Sequence, residues 1–308
     1  MSGEFSAIER IARSLPRPPD AKVWIGDDTA VVEPGQGWLL LAADAVVDGV
    51  HADLTLTGLD DLGWKAVVAN ISDVAAMGGE PGHALVTVAG PKSTDLDRLY
   101  LGIAAACEAY GCPVVGGDLV SSATLVVTVA VTGWVDGLPV RRGGARPGDG
   151  LWVTGPLGGA AAGLRLLRVG ASRVPAGQQV SPVVSARIAD HARPRAALAE
   201  GRAARLAGAT AMIDVSDGFG ADLGHLADAS RVGFELEGVP VAEGATLEEA
   251  LGGGEDYRLV FAAPDPVAVA EAFAGLEPPI AIGRCVGDAG RRVLGDRHLG
   301  PLGWQHEW

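Results

Sequence analysis

The N-terminal half of the chain alternates between two hydrophobic periods. The runs HALVTVAG and ATLVVTVAVTGWV are nearly continuous and rich in β-branched residues, which predicts buried strands. The stretch DLGWKAVVANISDVAAMGG repeats apolar residues at helical spacing and predicts a helix that ends at Gly78–Gly79. A second helix, TDLDRLYLGIAAACEAYG, is predicted with a cap at Thr94 or Asp95 and a stop at Gly111. Two shorter strands are predicted at Leu39–Ala42 and in PVVGGD, where the glycines should end the strand.

The pattern restarts after the stretch DGLPVRRGGARPGDG. Its prolines and glycines predict a domain junction near residues 136–150, so we expect one domain at 1–138 and another at 139–308. The second half then predicts the strand LWVTG, the helix GGAAAGLRLLRVG, a helical stretch from about Val184 to Ala207, the strand TAMIDVS, a helix at Phe219–Ser230, the strand YRLVFAA, and a final helix and strand. Strands and helices alternate in both halves, which predicts two α/β or α+β layer domains.

Composition narrows the possible partners. The formal net charge is -14 and the sequence pI is about 4.8, so the surface should repel nucleic acid and anionic membranes. No apolar run reaches the length of a membrane span, and the N-terminal stretch lacks the apolar region of a signal peptide. The three cysteines include no C-x-x-C pair, which favours buried thiols in a reducing compartment. We therefore expect a cytoplasmic protein.

Carboxylates recur in glycine-rich turns beside apolar segments. Five stretches share this pattern: IGDDTAVV, AADAVVDGVH, ANISDVAAMGG, VVGGDLVSS and MIDVSDGFGADL. Glycine allows a ligand to approach the backbone closely, and several carboxylate oxygens together with phosphate oxygens suit Mg²⁺. Any one of these aspartates is as easily a turn former or a helix cap. Five such stretches in one chain favour a shared metal and phosphate site.

The stretch MIDVSDGFGADL is the richest of the five. Alternation along a strand would turn Asp214 and Ser216 to the same face. Asp217 would then lie in the turn before a helix, where backbone amides favour phosphate. The loop GPLGGAAAGL also opens a helix, and it suits either a phosphate cradle or close helix packing.

A phosphate-binding loop with a lysine is absent from the sequence. No Gly-Lys pair occurs, so the G-x-x-x-x-G-K-[ST] pattern cannot be formed, and no protein-kinase signature is present. If phosphates are bound, metal ions and arginines must therefore offset their charge. Arg142 is the candidate, with Arg141 and Arg146 as rival choices in the same junction.

The order of these stretches resembles thiamine-monophosphate kinases, a family of the aminoimidazole-ribonucleotide-synthetase-like superfamily. The resemblance covers nearly the whole chain. It runs from GEFSAIERI through IGDDTAVV, DGVH, KAVVANISDVAAMGGEP, VVGGD, RRGGARPGDGLWVTGPLGGAAAGL, IDVSDGFGADLGHLA and LGGGEDYRLVF to GWQH. It implies a two-domain fold whose N-terminal sheets pair across a homodimer. It also implies ATP as co-substrate, several Mg²⁺ ions, and direct transfer of a phosphoryl group to thiamine monophosphate.

The resemblance also assigns candidate site residues. The implied metal ligands are Asp28, Asp44, Asp73, Asp118, Asp214 and Asp217, with Asp27 nearby and the backbone carbonyls of Ala42 and Ala43. The implied ATP contacts are Tyr100, Gly117, Asp118, Arg142 and Ser216. The implied contacts with the thiamine phosphate are His51, Glu255 and Trp304. No protein side chain is implied as an acid, base or nucleophile.

Three departures from the family pattern stand out. Ala42 and Ala43 lie where a hydroxyl residue is expected before Asp44. Leu119 and Val120 follow the GGD stretch, where threonines are usual. In GPLGG, the residue after the first glycine is a proline where a polar residue is often found. They bear on individual metal positions and on ATP affinity.

Two other functions stay open from the residues alone. One is a different enzyme of the superfamily. A selenophosphate-synthetase-like role would need a reactive cysteine near the N-terminus, whereas the first is Cys107, and a hydrogenase-maturation role would need a C-terminal cysteine. A purine-synthesis role is harder to exclude, although LGGGEDY and GWQH favour the thiamine enzyme. The other function is a nucleotide-binding protein without activity, which Ala42 and Ala43 mildly favour and the acidic positions oppose.

Overall fold

The computed structural model describes residues 10–16, 37–171, 181–300 and 302–304. The chain folds into two compact units. The N-terminal unit holds the described residues up to Val74 together with Glu80–Gly137. The C-terminal unit holds Ala75–Gly79 and the described residues from Leu138 onward.

A four-stranded sheet forms the centre of the N-terminal unit. Its strands lie in the order β1-β4-β2-β3, where β4 is antiparallel to both β1 and β2, and β2 is parallel to β3. Helix α1 includes residues 10–14. The other elements are β1 (Trp38–Val47), α2 (Leu59–Ala76), β2 (Glu80–Gly90), α3 (Leu96–Tyr110), β3 (Val114–Ser121) and β4 (Val126–Val135).

The two faces of this sheet differ in burial. One face of β4 is buried against α2, where a Cβ on Gly133 would lie 3.0 Å from the side chain of Val74. Helix α3 packs closely on α2, since a Cβ on Gly102 would lie 1.8 Å from the Asp60 carbonyl oxygen. The opposite face, called the open face here, carries exposed apolar side chains at Leu39, Leu41, Leu85 and Val120.

The helix signals of this unit are confirmed, and two strand boundaries are wrong. Asp95, and not Thr94, caps α3 by accepting from the Arg98 amide, and Gly111 ends the helix in the left-handed conformation. Strand β1 continues from the predicted Ala42 end to Val47 because β4 pairs with it along its whole length. Strand β3 runs through its glycines to Ser121 because β2 continues beside it.

A seven-stranded mixed sheet forms the centre of the C-terminal unit, in the order β11-β10-β7-β9-β5-β8-β6. Its strands are β5 (Gly150–Val153), β6 (Ala211–Asp214), β7 (Gly233–Leu236), β8 (Leu259–Ala263), β9 (Ile280–Val286), β10 (Arg292–Leu294) and β11 (Arg297–His298). Its helices are α4 (Gly159–Arg168), α5 (Pro182–Ala192), α6 (Leu198–Leu206), α7 (Phe219–Ser230), α8 (Leu247–Gly252) and α9 (Pro266–Ala272).

Helices cover both faces of strands β6 and β8. On one face, Ile213 and Val260 pack into a core with Phe219 and Leu223 of α7. On the other face, Phe261 belongs to a second core with residues of α6 and α9. The apolar strands are therefore buried on both sides, as their nearly continuous hydrophobic sequence requires.

The predicted helical stretch from Val184 to Ala207 is two helices. Helix α5 ends at Ala192 and α6 begins at Leu198. Pro194 explains the break, because it has no N–H to donate and disfavours helical geometry at the residue before it. Strands β7, β10 and β11 and helix α8 were not predicted.

Membrane-spanning segments and the state of the cysteines were both addressed from the sequence. No helix among the described residues is long and apolar enough to cross a membrane. All three cysteines are free and buried, and burial raises the pKa of each thiol. They are therefore protonated at neutral pH and poorly nucleophilic.

Candidate active site

Asp44 and Asp73 of the N-terminal unit flank one buried amide side chain. Asn70 of α2 is fully buried, its Oδ1 accepts from the Asp44 backbone N–H at 3.0 Å, and its Nδ2 donates to the Ala66 carbonyl at 3.1 Å. Asp73 lies on α2 one turn after Asn70 and is half-buried. Asn70 thus ties β1 at Asp44 to the helix that carries Asp73. It lies in one of the five acidic stretches, but no role was predicted for it.

The backbone of β1 distinguishes the two alanines before Asp44. The Asp44 N–H donates to Asn70, so it points away from β4. Backbone groups alternate in direction along an antiparallel strand, which indicates that the Ala42 carbonyl points to the same side as the Asp44 N–H and the Ala43 carbonyl points toward β4. Ala42 is therefore the better placed of the two to offer a carbonyl ligand.

Asp118 lies at the other edge of the same sheet. It pairs with Thr87 of β2, which belongs to the open face, whereas Asp44 pairs with the buried Val129. Strands β4 and β2 lie between them, so three strand spacings, about 14 Å along the sheet, separate the two aspartates. Within one N-terminal unit, the sheet does not bring Asp118 to Asp44.

Gly117 is required by the backbone next to Asp118. Its φ is +157°, and a Cβ there would lie 1.8 Å from the Val86 carbonyl oxygen. Any side chain would push β3 away from β2 at this point. The glycine therefore serves the packing of the strand that presents Asp118, whose Oδ1 accepts from the Leu119 N–H at 2.9 Å.

His51 and Tyr100 have different surroundings within the N-terminal unit. The Nδ1 of His51 accepts from the Val47 N–H at 3.1 Å, so the neutral imidazole carries its proton on Nε2. Tyr100 is buried in α3, and this burial, with a smaller effect of Cys107, raises the pKa of its hydroxyl. Its hydroxyl therefore stays protonated at neutral pH.

Asp222 organises the loop between β6 and α7 in the C-terminal unit. It is 3% exposed, and its Oδ2 accepts from the N–H groups of Ser216, Asp217 and Gly218 at 3.1, 3.1 and 3.0 Å. Burial, followed by the charge of Asp214, raises the pKa of Asp222 to about 7. The Asp222 carboxylate therefore occupies these three amides of the turn, so they are not open to a phosphate. Asp222 lies in one of the five acidic stretches, but the sequence did not predict this role.

The strand argument for Ser216 also fails. Strand β6 ends at Asp214, so Ser216 lies in the turn after it and not on a strand face. The turn is fixed by the loop GGGEDY, whose Glu255 N–H donates to the Ser216 carbonyl at 2.8 Å. Strand pairing continues irregularly as the Tyr257 N–H donates to the Val215 carbonyl at 2.9 Å.

Several candidate residues converge around this turn. Glu255 is bound to Ser216 through the backbone, and the Trp304 N–H donates to the Asp217 carbonyl at 2.9 Å. The Glu255 carboxylate lies 3.5 Å from the Nδ1 of buried His191. The backbone φ of Glu255 is 66°, which is unusual for a residue other than glycine. Asp214 ends the strand that leads into the turn and is buried. The C-terminal unit therefore gathers Asp214, Ser216, Asp217, Glu255 and Trp304.

The loop GPLGG serves packing. Asp256 accepts from the N–H groups of Gly158 at 2.5 Å and Ala160 at 3.1 Å, so a carboxylate of the chain already occupies the start of α4. Burial raises the pKa of Asp256 to about 6. A Cβ on Gly163 would lie 2.0 Å from the Arg187 carbonyl oxygen, which shows that α4 and α5 touch through their backbones. Of the two interpretations of this loop, close helix packing is the one that the structure supports.

Arg142 lies in an exposed part of the junction, whose backbone is tied to the end of α7. Ser230 Oγ donates to the Arg142 carbonyl at 3.2 Å and accepts from the Gly144 and Ala145 N–H groups. Asp27 and Asp28 lie outside the described residues.

The donor chemistry of the candidates suits a hard cation. The described metal candidates are carboxylates and backbone carbonyls, which are the ligands that Mg²⁺ takes. Among the described residues, no three His, Cys, Asp or Glu side chains are close enough to hold a metal ion together. The metal ligands therefore stay a prediction.

Two family models match the chain. The model of the AIR synthase related protein, N-terminal domain, matches residues 26–135, and that of the C-terminal domain matches residues 146–295. The mixed α/β architecture of both units agrees with these matches. The chain is therefore an AIR synthase related protein with both domains of that class.

Relatives that match nearly the whole chain identify its family among the AIR synthase related proteins. The thiamine-monophosphate kinase of Aquifex aeolicus (strain VF5) is 36% identical over 319 residues, covering 99% of this chain and 98% of the relative. A crystal structure of thiamine-monophosphate kinase from Stenotrophomonas maltophilia K279a has a TM-score of 0.82 at 32% identity, covering 96% and 98% of the two chains. A structure of AaThiL complexed with AMPPCP and TMP has a TM-score of 0.76 at 34% identity, covering 99% and 97%. The chain belongs to the thiamine-monophosphate kinase family.

Proposed function

We propose that this protein is a kinase that uses ATP to phosphorylate thiamine monophosphate, which yields thiamine diphosphate and ADP in thiamine biosynthesis. The observation that carries this function is the similarity of nearly the whole chain to thiamine-monophosphate kinases, at 36% identity to the Aquifex relative. The AaThiL neighbour, complexed with AMPPCP and TMP, supports an ATP-like co-substrate and a thiamine phosphate for the same fold.

We further propose that transfer is direct, in line and assisted by Mg²⁺. No lysine-containing phosphate loop exists in the sequence, so Mg²⁺ would supply the positive charge that phosphoryl transfer needs. Asp28, Asp44, Asp73, Asp118, Asp214 and Asp217, with the Ala42 carbonyl and nearby Asp27, are the residues to hold it. The ATP contacts in this proposal are Tyr100, Gly117, Asp118, Arg142 and Ser216.

The acceptor is recognised by His51, Glu255 and Trp304 in this proposal. The hydrogen bond from Val47 leaves the His51 Nε2–H as the donor of the neutral ring. The Glu255 carboxylate suits the amine of the pyrimidine or the positive thiazolium, and the half-exposed Trp304 indole suits stacking on a cationic ring. The backbone bonds of both residues to the Ser216–Asp217 turn support a common role.

We propose that the chain is a homodimer that pairs through the N-terminal sheet. The open face and the β1 edge expose Leu39 at 54%, Leu41 at 74% and Trp38 at 59% of their surface, which is unusual for a monomer. Light scattering at micromolar concentration tests this proposal. A species of twice 31.3 kDa is expected, and a single 31.3 kDa species would exclude the dimer.

The activity is tested by ADP release with purified protein, MgATP and three acceptors. Thiamine monophosphate should support turnover, whereas thiamine and aminoimidazole precursors should not. Turnover with an aminoimidazole precursor would favour the purine-synthesis enzymes of the class instead. ATP binding without turnover on any acceptor would favour an inactive nucleotide-binding protein. We also propose that the protein works in the cytoplasm, which its free buried thiols support.

A further inference from the structure

A polar cavity lies within the C-terminal unit, with Asp256 in its wall. It has a volume of about 100 Å³, and six charged side chains line it: Arg187, Arg193, Arg195, Arg258, Asp190 and Asp256. Four arginines in one cavity are notable in a chain with a net charge of -14. Neither the metal site nor the acceptor site proposed above uses any of the six.

Glycines make the room for these side chains. The guanidinium of Arg258 lies over Gly155, where a Cβ would come within 3.2 Å of its Cζ and Nε. A Cβ on Gly159 would lie 2.5 Å from Asp190 Oδ2 and 3.4 Å from Arg187 Nη1. The segment that starts α4 therefore has no side chain at the two points where the charged groups of the cavity approach it.

Several charged groups of the cavity are paired within the chain. Arg187 pairs with Asp190 at 3.0 Å, and Arg195 pairs with Glu200. Asp256 accepts from two backbone amides of α4. The described lining of the cavity carries four arginines and two aspartates, and Arg193 has a further interaction of its own.

One donor in the cavity wall has no acceptor. Arg187 Nε is buried, and it has no hydrogen-bond partner among the residues that the structure describes. A buried donor of a charged group without an acceptor costs free energy, so such a group in a native structure calls for a partner from outside the chain. An anion in the cavity would provide that acceptor.

We propose that this arginine cavity is an anion site that binds a phosphate group, either as inorganic phosphate or as the terminal phosphate of a small metabolite. Several guanidinium forks around a small space suit an anion with several acceptor oxygens, which phosphate offers. The proposal does not depend on the kinase function.

The test is equilibrium dialysis of the full-length protein with radiolabelled phosphate, without metal ions or nucleotides and at constant ionic strength. EDTA is included, so that a metal-dependent phosphate site is silent. One phosphate per chain is expected. Arg187→Gln and Arg258→Gln should each raise the dissociation constant at least tenfold, which corresponds to about 1.4 kcal/mol. The control Arg297→Gln removes one exposed charge from β11 and should leave binding unchanged.

A charge-preserving variant separates the cavity from general electrostatics. Gly159→Ala keeps every charge and adds a methyl group at the cavity wall, so it should also weaken binding, and circular dichroism verifies its fold. Unlabelled glycerol 3-phosphate is added as a competitor. Displacement at lower concentration than inorganic phosphate identifies a phosphorylated metabolite as the ligand, and the reverse order identifies free phosphate.

Three results would overturn the proposal. They are no saturable binding, equal weakening by Arg297→Gln, and loss of binding in Arg142→Gln with normal binding in the cavity variants. The last result would assign the phosphate to the proposed nucleotide site. ADP release with thiamine monophosphate is measured separately, so failure of the anion site and failure of the kinase proposal are distinguishable.

Discussion

Asp44 and Asp118 provide the most informative test of how the proposed site is built. If both ligate one Mg²⁺, their oxygens must lie within about 4 Å of each other, since Mg²⁺ holds its ligands at about 2.1 Å. The two lie three strand spacings apart, about 14 Å along the sheet, with pairing partners on opposite faces. An aspartate side chain cannot span that distance. A metal shared by these two residues therefore requires Asp44 from one protomer and Asp118 from its partner.

The prediction concerns mixed dimers of two inactive variants. Asp44→Asn and Asp118→Asn should each lower the activity of their homodimers by orders of magnitude. Co-expression and random pairing give half mixed dimers, and each of these has one site with both aspartates intact. Activity should therefore recover to about half of the wild-type value in isolated mixed dimers, and to about a quarter in the unseparated mixture.

The assay is ADP release with thiamine monophosphate, on mixed dimers isolated through two different affinity tags. Co-expressed Asp44→Asn with a second, differently tagged Asp44→Asn chain is the matched control and should stay inactive. No recovery in a verified mixed dimer would refute the shared metal. It would leave Asp44 and Asp118 with separate roles.

Three further predictions address single residues. Asp73→Asn should reduce turnover by orders of magnitude with an unchanged circular dichroism spectrum, and near-normal turnover at saturating Mg²⁺ would exclude a metal role. Trp304→Ala should raise the KM for thiamine monophosphate by up to roughly thirtyfold, from loss of about 2 kcal/mol of stacking, and leave the KM for ATP unchanged; equal effects on both would show a packing role. Burial raises the pKa of Asp256 from 3.8 to about 6, so the folded chain binds this proton more tightly than the unfolded chain does. Its contribution to stability is present below about pH 4 and is lost as the pH rises through 6. The free energy of unfolding, measured with urea at several pH values, should fall less between pH 4 and 6 in Asp256→Asn than in the unchanged chain. The exposed cap variant Asp265→Asn should keep the full decrease. The same pH dependence in Asp256→Asn and the unchanged chain would contradict a raised pKa for Asp256.

Local signals in the sequence were sufficient for most elements. Asp95 and Gly111 bound α3 because capping and left-handed termination depend on neighbouring residues only. Helix α7 has the predicted bounds Phe219–Ser230 for the same reason. The ends of β1 and β3 were missed because strand length depends on a partner that is distant in the sequence. The break at Pro194 was available from the sequence but was not used.

The site was less accessible to sequence reasoning. The carboxylates in MIDVSDGFGADL have different roles. The sequence does not show that Asp222 accepts hydrogen bonds from three backbone N–H groups of the turn, where phosphate binding was predicted. Asn70 and Asp256 are comparable cases, because each is important for a backbone contact made across the fold. A polar residue inside an apolar stretch was the available signal for Asn70, whereas Asp256 lies in the polar stretch GGGEDYR and had no such signal. Family resemblance supplied roles for Glu255 and Trp304 that spacing alone does not give.

The central claim is that this chain transfers the terminal phosphoryl group of ATP directly to thiamine monophosphate. The most direct measurement uses ATP labelled in its γ-phosphoryl group, with purified protein, Mg²⁺ and thiamine monophosphate, followed by separation of all products. The account predicts one labelled thiamine diphosphate for each ADP formed, with the label in its terminal phosphate and none in inorganic phosphate. Label found in inorganic phosphate, or ADP formed without thiamine diphosphate, would contradict it.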